Sequence, residues 1–178
     1  MTRKRCSWAG PDEVYIRYHD DEWGVPTHDD QELFEMLVLE SFQAGLSWIT
    51  ILKKRENFRK AFDGFDVEKV AGYGEDKVEE LCQNEGIIRH KGKIASAINN
   101  AKIFIEIQKE FGSFDSYIWG FTNGEIIKAE YKKESELSGD ISKDLKKRGM
   151  KFVGPTIIYS YHESIGVIDN HQENCFKF

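Results

Sequence analysis

The sequence predicts an all-α single domain. Apolar residues recur at helical spacing along most of the chain, and no alternating run is long enough for a sheet. Only three prolines interrupt the 178 residues, a length that can enclose one real core. The hydrophobic fraction of 40% and aromatic fraction of 13% fit a globular chain and exclude a disordered one.

Residues 1–28 read as irregular and aromatic-rich, with Trp8, Tyr15, Tyr18 and Trp23 as either a satellite core or stacking walls. Asp29 or Asp30 then caps a helix whose apolar stripe includes Leu33, Phe34, Leu37 and Val38. A break is expected at Gly45. A second helix follows from Ser47 to Ala61, with Ile51, Leu52 and Phe58 inside and Lys53, Arg55 and Arg59 outside. Short helices are expected near Val67 to Ala71 and Glu75 to Gln83, with Cys82 as a small core residue. A basic turn, Gly86 to Lys93, leads into a long helix ending near Glu110. Phe114 to Phe121 reads as a short aromatic helix, and Gly124 to Leu137 as a polar loop.

The next segment has the form helix, turn, helix. Ile141 and Leu145 share a face, and Gly149 supplies a C-terminal cap. Gly154-Pro155-Thr156 opens the last helix, which runs to Ile165 before Gly166. Such a hairpin can aim bare N–H groups at an anion, because a helix begins there. Lys143, Lys146, Lys147, Arg148 and Lys151 crowd the segment against a single acid, Asp144. In a chain of net charge −6 that reversal suggests a contact with a phosphate backbone. An ordinary tight connection with a solvated basic face is the competing reading. The overall negative charge argues against a general nucleic-acid coat protein, but not against one basic patch.

Three cysteines, an odd number, argue against a disulfide framework and for a reducing compartment. Met-Thr-Arg-Lys-Arg-Cys-Ser-Trp lacks the apolar core of a signal peptide, so a cytoplasmic location is expected. Cys6 and His19 lie near one end of the chain, and His171 and Cys175 near the other. Two thiolates and two imidazoles make a closed tetrahedral zinc site, which would staple the two terminal segments. The alternative is a surface thiol with ordinary polar histidines, since the spacing is not that of a zinc finger.

The motifs gain force together. They are Cys6-Ser7-Trp8, Tyr18 to Pro26, Leu39-Glu40, Gln43 to Arg55, Gly86 to His90, Lys147 to Pro155 and His171-x3-Cys175. From Cys6 to Cys175 the chain resembles the bacterial 3-methyladenine DNA glycosylase I family, also called Tag. The hairpin matches the hydrophobic-Gly-x-Thr form of helix-hairpin-helix DNA glycosylases. The resemblance implies a helix-hairpin-helix fold over about residues 142–165 and one structural Zn²⁺ held by Cys6, His19, His171 and Cys175. It also implies excision of 3-methyladenine from alkylated double-stranded DNA at the bacterial nucleoid. Its base-pocket positions carry over to Glu40, Tyr18, Trp48 and Trp8, with Trp23 as a wall.

The residues suit that chemistry. A base methylated at N3 is cationic in DNA, and aromatic faces and a buried carboxylate both favour a cation. Glu40 is the expected base-reading acid, because the other acid in Phe34 to Leu52, Glu35, falls toward the outer face. Gln43, Gly45 and Leu46 lie between two helices, where an apolar tip can fill a gap in a base stack, although Leu46 equally fits a core. Lys151, Val153, Gly154 and Thr156 are the expected DNA contacts of the hairpin. Ile168-Asp169-Asn170-His171 resembles the Val-Asp-x-His of the wider superfamily, but with His171 committed to zinc a secondary or structural role is expected for Asp169. Gly154 to Ile158 lacks the lysine that bifunctional members carry after the hairpin, which predicts hydrolysis leaving an abasic site. No protein partner is implied and a monomer is expected. The rivals are a non-catalytic module that grips duplex DNA and a zinc-stapled adaptor that binds protein. Neither accounts for both the basic hairpin and the cluster of Glu40, Trp48 and Tyr18.

Overall fold

The computed structural model describes residues 3–178. Nine α-helices carry the fold among these residues: α1 Glu13–Arg17, α2 Asp30–Gln43, α3 Trp48–Ala61, α4 Val67–Ala71, α5 Glu75–Gln83, α6 Lys91–Phe111, α7 Phe114–Gly120, α8 Glu136–Lys147 and α9 Pro155–Ser164. Helix α2 is the axis. Every residue from Leu33 to Phe42 is buried, so it carries a core face all round. It packs against α3, α6, α7 and α9. Asp29 caps it by accepting the Glu32 N–H at 3.0 Å. The carboxylate of Asp30 accepts the N–H groups of Phe114 and Asp115, both at 2.9 Å, and so fixes the start of α7 against α2.

Three differences from the sequence expectation have physical causes. The N-terminal segment is not irregular throughout. It holds α1, capped by Asp12, and a π turn over Tyr18–Glu22. Five-residue elements carry too little periodicity to read. The segment 124–137 is not only loop, because Ile127 and Lys128 pair in parallel with Ile168 and Asp169. Two residues cannot show alternation, so this bridge (β1 Ile127–Lys128, β2 Ile168–Asp169) was invisible. Helix α8 also starts early, at Glu136, behind a capping box formed by Ser135 and Ser138.

Glu35 and Arg55 are corrections of another kind. Both were expected on outer faces. Glu35 is instead 7% exposed, and its Oε1 accepts Arg55 Nε at 2.6 Å and Arg59 Nε at 2.9 Å. Arg55 also reaches Glu22 at 2.6 Å. The chain pairs this buried acid with two guanidinium groups, which offsets its desolvation. Cys82 is only partly buried, at the margin of the core.

The hairpin between α8 and α9 is rigidly specified. The Gly149 N–H donates to Lys146 O at 2.9 Å and the Met150 N–H to Leu145 O at 3.0 Å, which is a Schellman ending with Gly149 at φ +101°. Buried Asn100 of α6 then clamps Lys151 like a strand partner. Its Oδ1 accepts the Lys151 N–H at 2.9 Å and its Nδ2 donates to Lys151 O at 2.8 Å. Asn99 donates to Gly149 O at 2.9 Å, and Ser142 Oγ to Val153 O at 2.7 Å. Replacing Asn100 with alanine removes the two bonds from its buried side chain to the Lys151 main chain and lowers unfolding stability by about 1–3 kcal/mol, read from the urea midpoint at unchanged slope.

Candidate functional site

One cavity gathers the predicted pocket residues. It has a volume of about 380 Å³ and is lined by Trp8, Tyr18, Trp23, Glu40, Gln43 and Trp48, joined by Glu163 and Asn170 among others. That is at the small end of the range for ligand sites, about 300–1,000 Å³. The wall is assembled from distant segments. A 3-10 turn over Ser7–Ala9 supplies Trp8, the π turn supplies Tyr18, α2 supplies Glu40, and Trp48 is the first residue of α3. Trp8 meets Trp23 edge to face at 4.9 Å between centroids, and Tyr18 lies tilted against Trp48 at 5.6 Å.

The polar groups of this cavity are under-used by the protein. Glu40 is 3% exposed and its Oε2 has no hydrogen-bond partner, nor has the indole N–H of Trp48. Buried polar atoms without partners are uncommon, and here an acceptor and a donor line one cavity. Burial, and then the charge of Glu163, hold the Glu40 carboxyl well above the ordinary carboxylate range. Burial likewise raises the Tyr18 phenol, with Glu40 adding to the effect, so Tyr18 is a firm hydroxyl donor. Burial pushes Glu163 up to about 7, against a lowering hydrogen bond from Asn170.

The rim carries the tip formed by residues 43–46. The Leu46 N–H closes on Gln43 O at 2.7 Å, and Gly45 sits at φ +80°. Leu46 is 38% exposed, so of its two expected readings core packing is overturned. The ammonium of Lys93 donates to Phe42 O at 2.8 Å and Ala44 O at 2.6 Å, holding the C-terminus of α2 under this tip.

The hairpin residues divide. Lys151 and Thr156 are exposed and Gly154 is half-buried at the start of α9. Val153 has its side chain in the core, which leaves only its main chain for any contact. Arg148 leaves the basic patch. It is held by Glu110 at 2.6 Å and Asp144 at 2.8 Å, over the rings of Phe111 and Tyr117.

At the termini, Cys6, His19 and Cys175 come together with their ligand atoms all within 4.8 Å of one another. Cys175 Sγ lies 3.4 Å from His19 Nε2. His171 stands beside this group, its ring centroid 5.5 Å from that of His19, but outside the tight set. The donor chemistry fits a metal. His19 Nδ1 is held by Asp20 at 2.8 Å and His171 Nδ1 by Asp169 at 2.7 Å, so both rings can turn Nε2 inward. His171 Nε2 is buried without a partner, as a ligand atom awaiting a cation would be. Asp169 thus contacts His171 and takes part in the β1–β2 bridge.

Sequence reasoning missed Glu163 and Asn170. Glu163 carried the same signal as Glu40, an acid within a largely apolar helix with Tyr159 and Tyr161 close by in sequence, but it lay outside the motifs that carry the resemblance. Asn170 was hidden between Asp169 and His171.

The chain and its fold have known relatives. The chain is 46% identical to DNA-3-methyladenine glycosylase 1 of Escherichia coli (strain K12), covering 97% of this chain and 95% of that protein. It is 42% identical to DNA-3-methyladenine glycosylase of Haemophilus influenzae, covering 96% of each. The crystal structure of a 3-methyladenine DNA glycosylase I superposes with a TM-score of 0.94 at 45% identity, covering 97% of this chain and 98% of that one. The Staphylococcus aureus enzyme, solved for its recognition of 3-methyladenine, superposes at 0.93 and 36% identity, covering 97% and 95%. These likenesses define the class of protein, a DNA glycosylase. The sequence model of the methyladenine glycosylases matches residues 8–178, and the chain belongs to that family.

Proposed function

We propose that this enzyme excises 3-methyladenine from alkylated duplex DNA in base excision repair, by flipping the base into the cavity and hydrolysing its glycosidic bond. The observation that carries the reading is the pair of unpartnered buried atoms, Glu40 Oε2 and Trp48 Nε1, inside an aromatic cavity. They offer an acceptor for the N–H hydrogens of a flipped base and a donor for one of its ring nitrogens. Tyr18 supplies a second donor. A cation against the faces of Trp8, Trp23 or Trp48 gains roughly 0.5–2 kcal/mol when desolvated, which neutral adenine does not.

The methylated base leaves as a neutral molecule, so little acid help is needed. The protein's part is to hold the base and tolerate positive charge growing on the sugar. The exposed side chain of Leu46, with Gln43 beside it, fills the space left in the stack. The hairpin grips phosphates through Lys151, Thr156 and the main chain of Val153 and Gly154. Helix α9 contains no lysine, which supports a monofunctional enzyme that leaves an abasic site.

Zinc fits Cys6, His19, Cys175 and, after a small ring movement, His171. Bound there it supplies a closed structural tie between the terminal segments. The chain's own residues then keep Trp8, two residues after Cys6, and Asn170, next to His171, in the cavity wall.

Chromatography of bases released from DNA treated with dimethyl sulfate tests the activity. Wild type releases 3-methyladenine and little 7-methylguanine, and Glu40→Ala slows that release at least about tenfold. No base released by folded wild type would leave the DNA-gripping module as the better reading. Metal analysis tests the staple separately. Purified wild type should carry one zinc per chain, and Cys175→Ala should lose it along with a large part of the thermal stability, since apparent zinc-site energies reach about 10–16 kcal/mol in small peptides.

A further inference from the structure

Three buried acids in this molecule are treated differently. Glu35 is paired with two arginines. Glu40 and Glu163 are as deeply buried, 3% and 7% exposed, yet neither pairs with a cation among the described residues. Both line the same cavity. Buried carboxyls without a counter-charge are costly, and proteins keep them where a ligand completes the site.

The two acids are not equivalent. Glu163 Oε2 accepts a hydrogen bond from Asn170 Nδ2 at 2.9 Å, whereas Glu40 Oε2 receives none. A donor aimed at a carboxyl favours its ionised form. Two like charges lining one cavity oppose each other, so the acid with the donor takes the negative charge first.

We infer that Glu163, clamped by Asn170, is a second base-facing acid of the cavity and supplies the counter-charge to the cationic base. Glu40 then reads the base chiefly by hydrogen bonding. The assignment rests on the proposed excision of a positively charged purine. It also gives Asn170 a positioning role, because its backbone lies between Asp169 and His171 at the terminal cluster while its side chain holds Glu163.

The charge is separable from the shape. Glu163→Gln keeps the hydrogen bond from Asn170 and removes the charge. Glu163→Asp keeps the charge and moves it by one methylene. Two readouts are compared: single-turnover excision from methylated duplex, where the base is cationic, and binding of free 3-methyladenine, which is neutral. The expected result for Glu163→Gln is excision slowed at least about tenfold, with free-base affinity within about threefold of wild type, and partial recovery in Glu163→Asp. Excision by Glu163→Gln within about threefold of wild type would overturn the assignment and leave the glycosylase reading intact. So would a parallel fall of excision and free-base affinity in both variants, the mark of a packing role. No excision by wild type would overturn the activity itself, and the assignment with it.

Discussion

A carboxyl buried without a cation is the constraint on which the rest of this structure turns. Glu40 sits in the last turn of α2, the most enclosed helix in the protein, where its carboxyl is buried and finds no cation among the described residues. Its desolvation is tolerable only because helices α3, α6, α7 and α9 pack round α2 strongly enough to fix it there. The same packing brings Trp48 in at the start of α3 and Glu163 in from α9. A cavity that is apolar in its walls, acidic in its polar groups and without a protein cation fits the proposed reading, in which a cationic base completes acids that a neutral one would leave unmatched.

The remaining elements serve the approach to that cavity. Helix α9 begins at the hairpin and reaches the cavity at Ser160 and Glu163, a span of about 13 Å from Gly154 at helical rise. The hairpin proposed to grip phosphates is thus tied through one helix to the acid at its other end. Asn100 fixes the hairpin and Lys93 fixes the rim tip, and both project from α6. One long helix therefore holds the hairpin and the rim tip, the two features proposed to meet DNA, at a set separation. The terminal cluster closes the opposite wall, through Trp8 and Asn170.

Much of this was legible in the chain. The apolar stripes gave α2 to α7 with their boundaries nearly in place, and Gly149 with Pro155 marked the hairpin because caps have strong local chemistry. Glu40, Tyr18, Trp8, Trp23 and Trp48 came from the resemblance to the 3-methyladenine DNA glycosylase I family, and for Glu40 an acid in an apolar-rich stretch pointed the same way. What failed was what depends on partners far away in sequence. Glu35 and Arg55 look solvent-facing until α2 and α3 are packed together. Arg148 looks like a DNA contact until Glu110 and Asp144 claim it. Val153 reads as a contact residue, but its side chain completes the core and leaves only its main chain to the proposed grip. Short elements such as α1 and the β1–β2 bridge are fixed by tertiary contact, and no period announces them.

The central claim is that the base's positive charge completes a site the protein leaves uncompensated. Calorimetric titration in buffers of different ionisation enthalpy counts the protons exchanged on binding. The ligands to compare are two duplexes, one with a stable cationic analogue of the methylated base and one with its neutral isostere. The account predicts proton release from the Glu40 and Glu163 pair near neutral pH with the cationic duplex, and none with the neutral one. Equal proton exchange with both, or tighter binding of the neutral duplex, would contradict it.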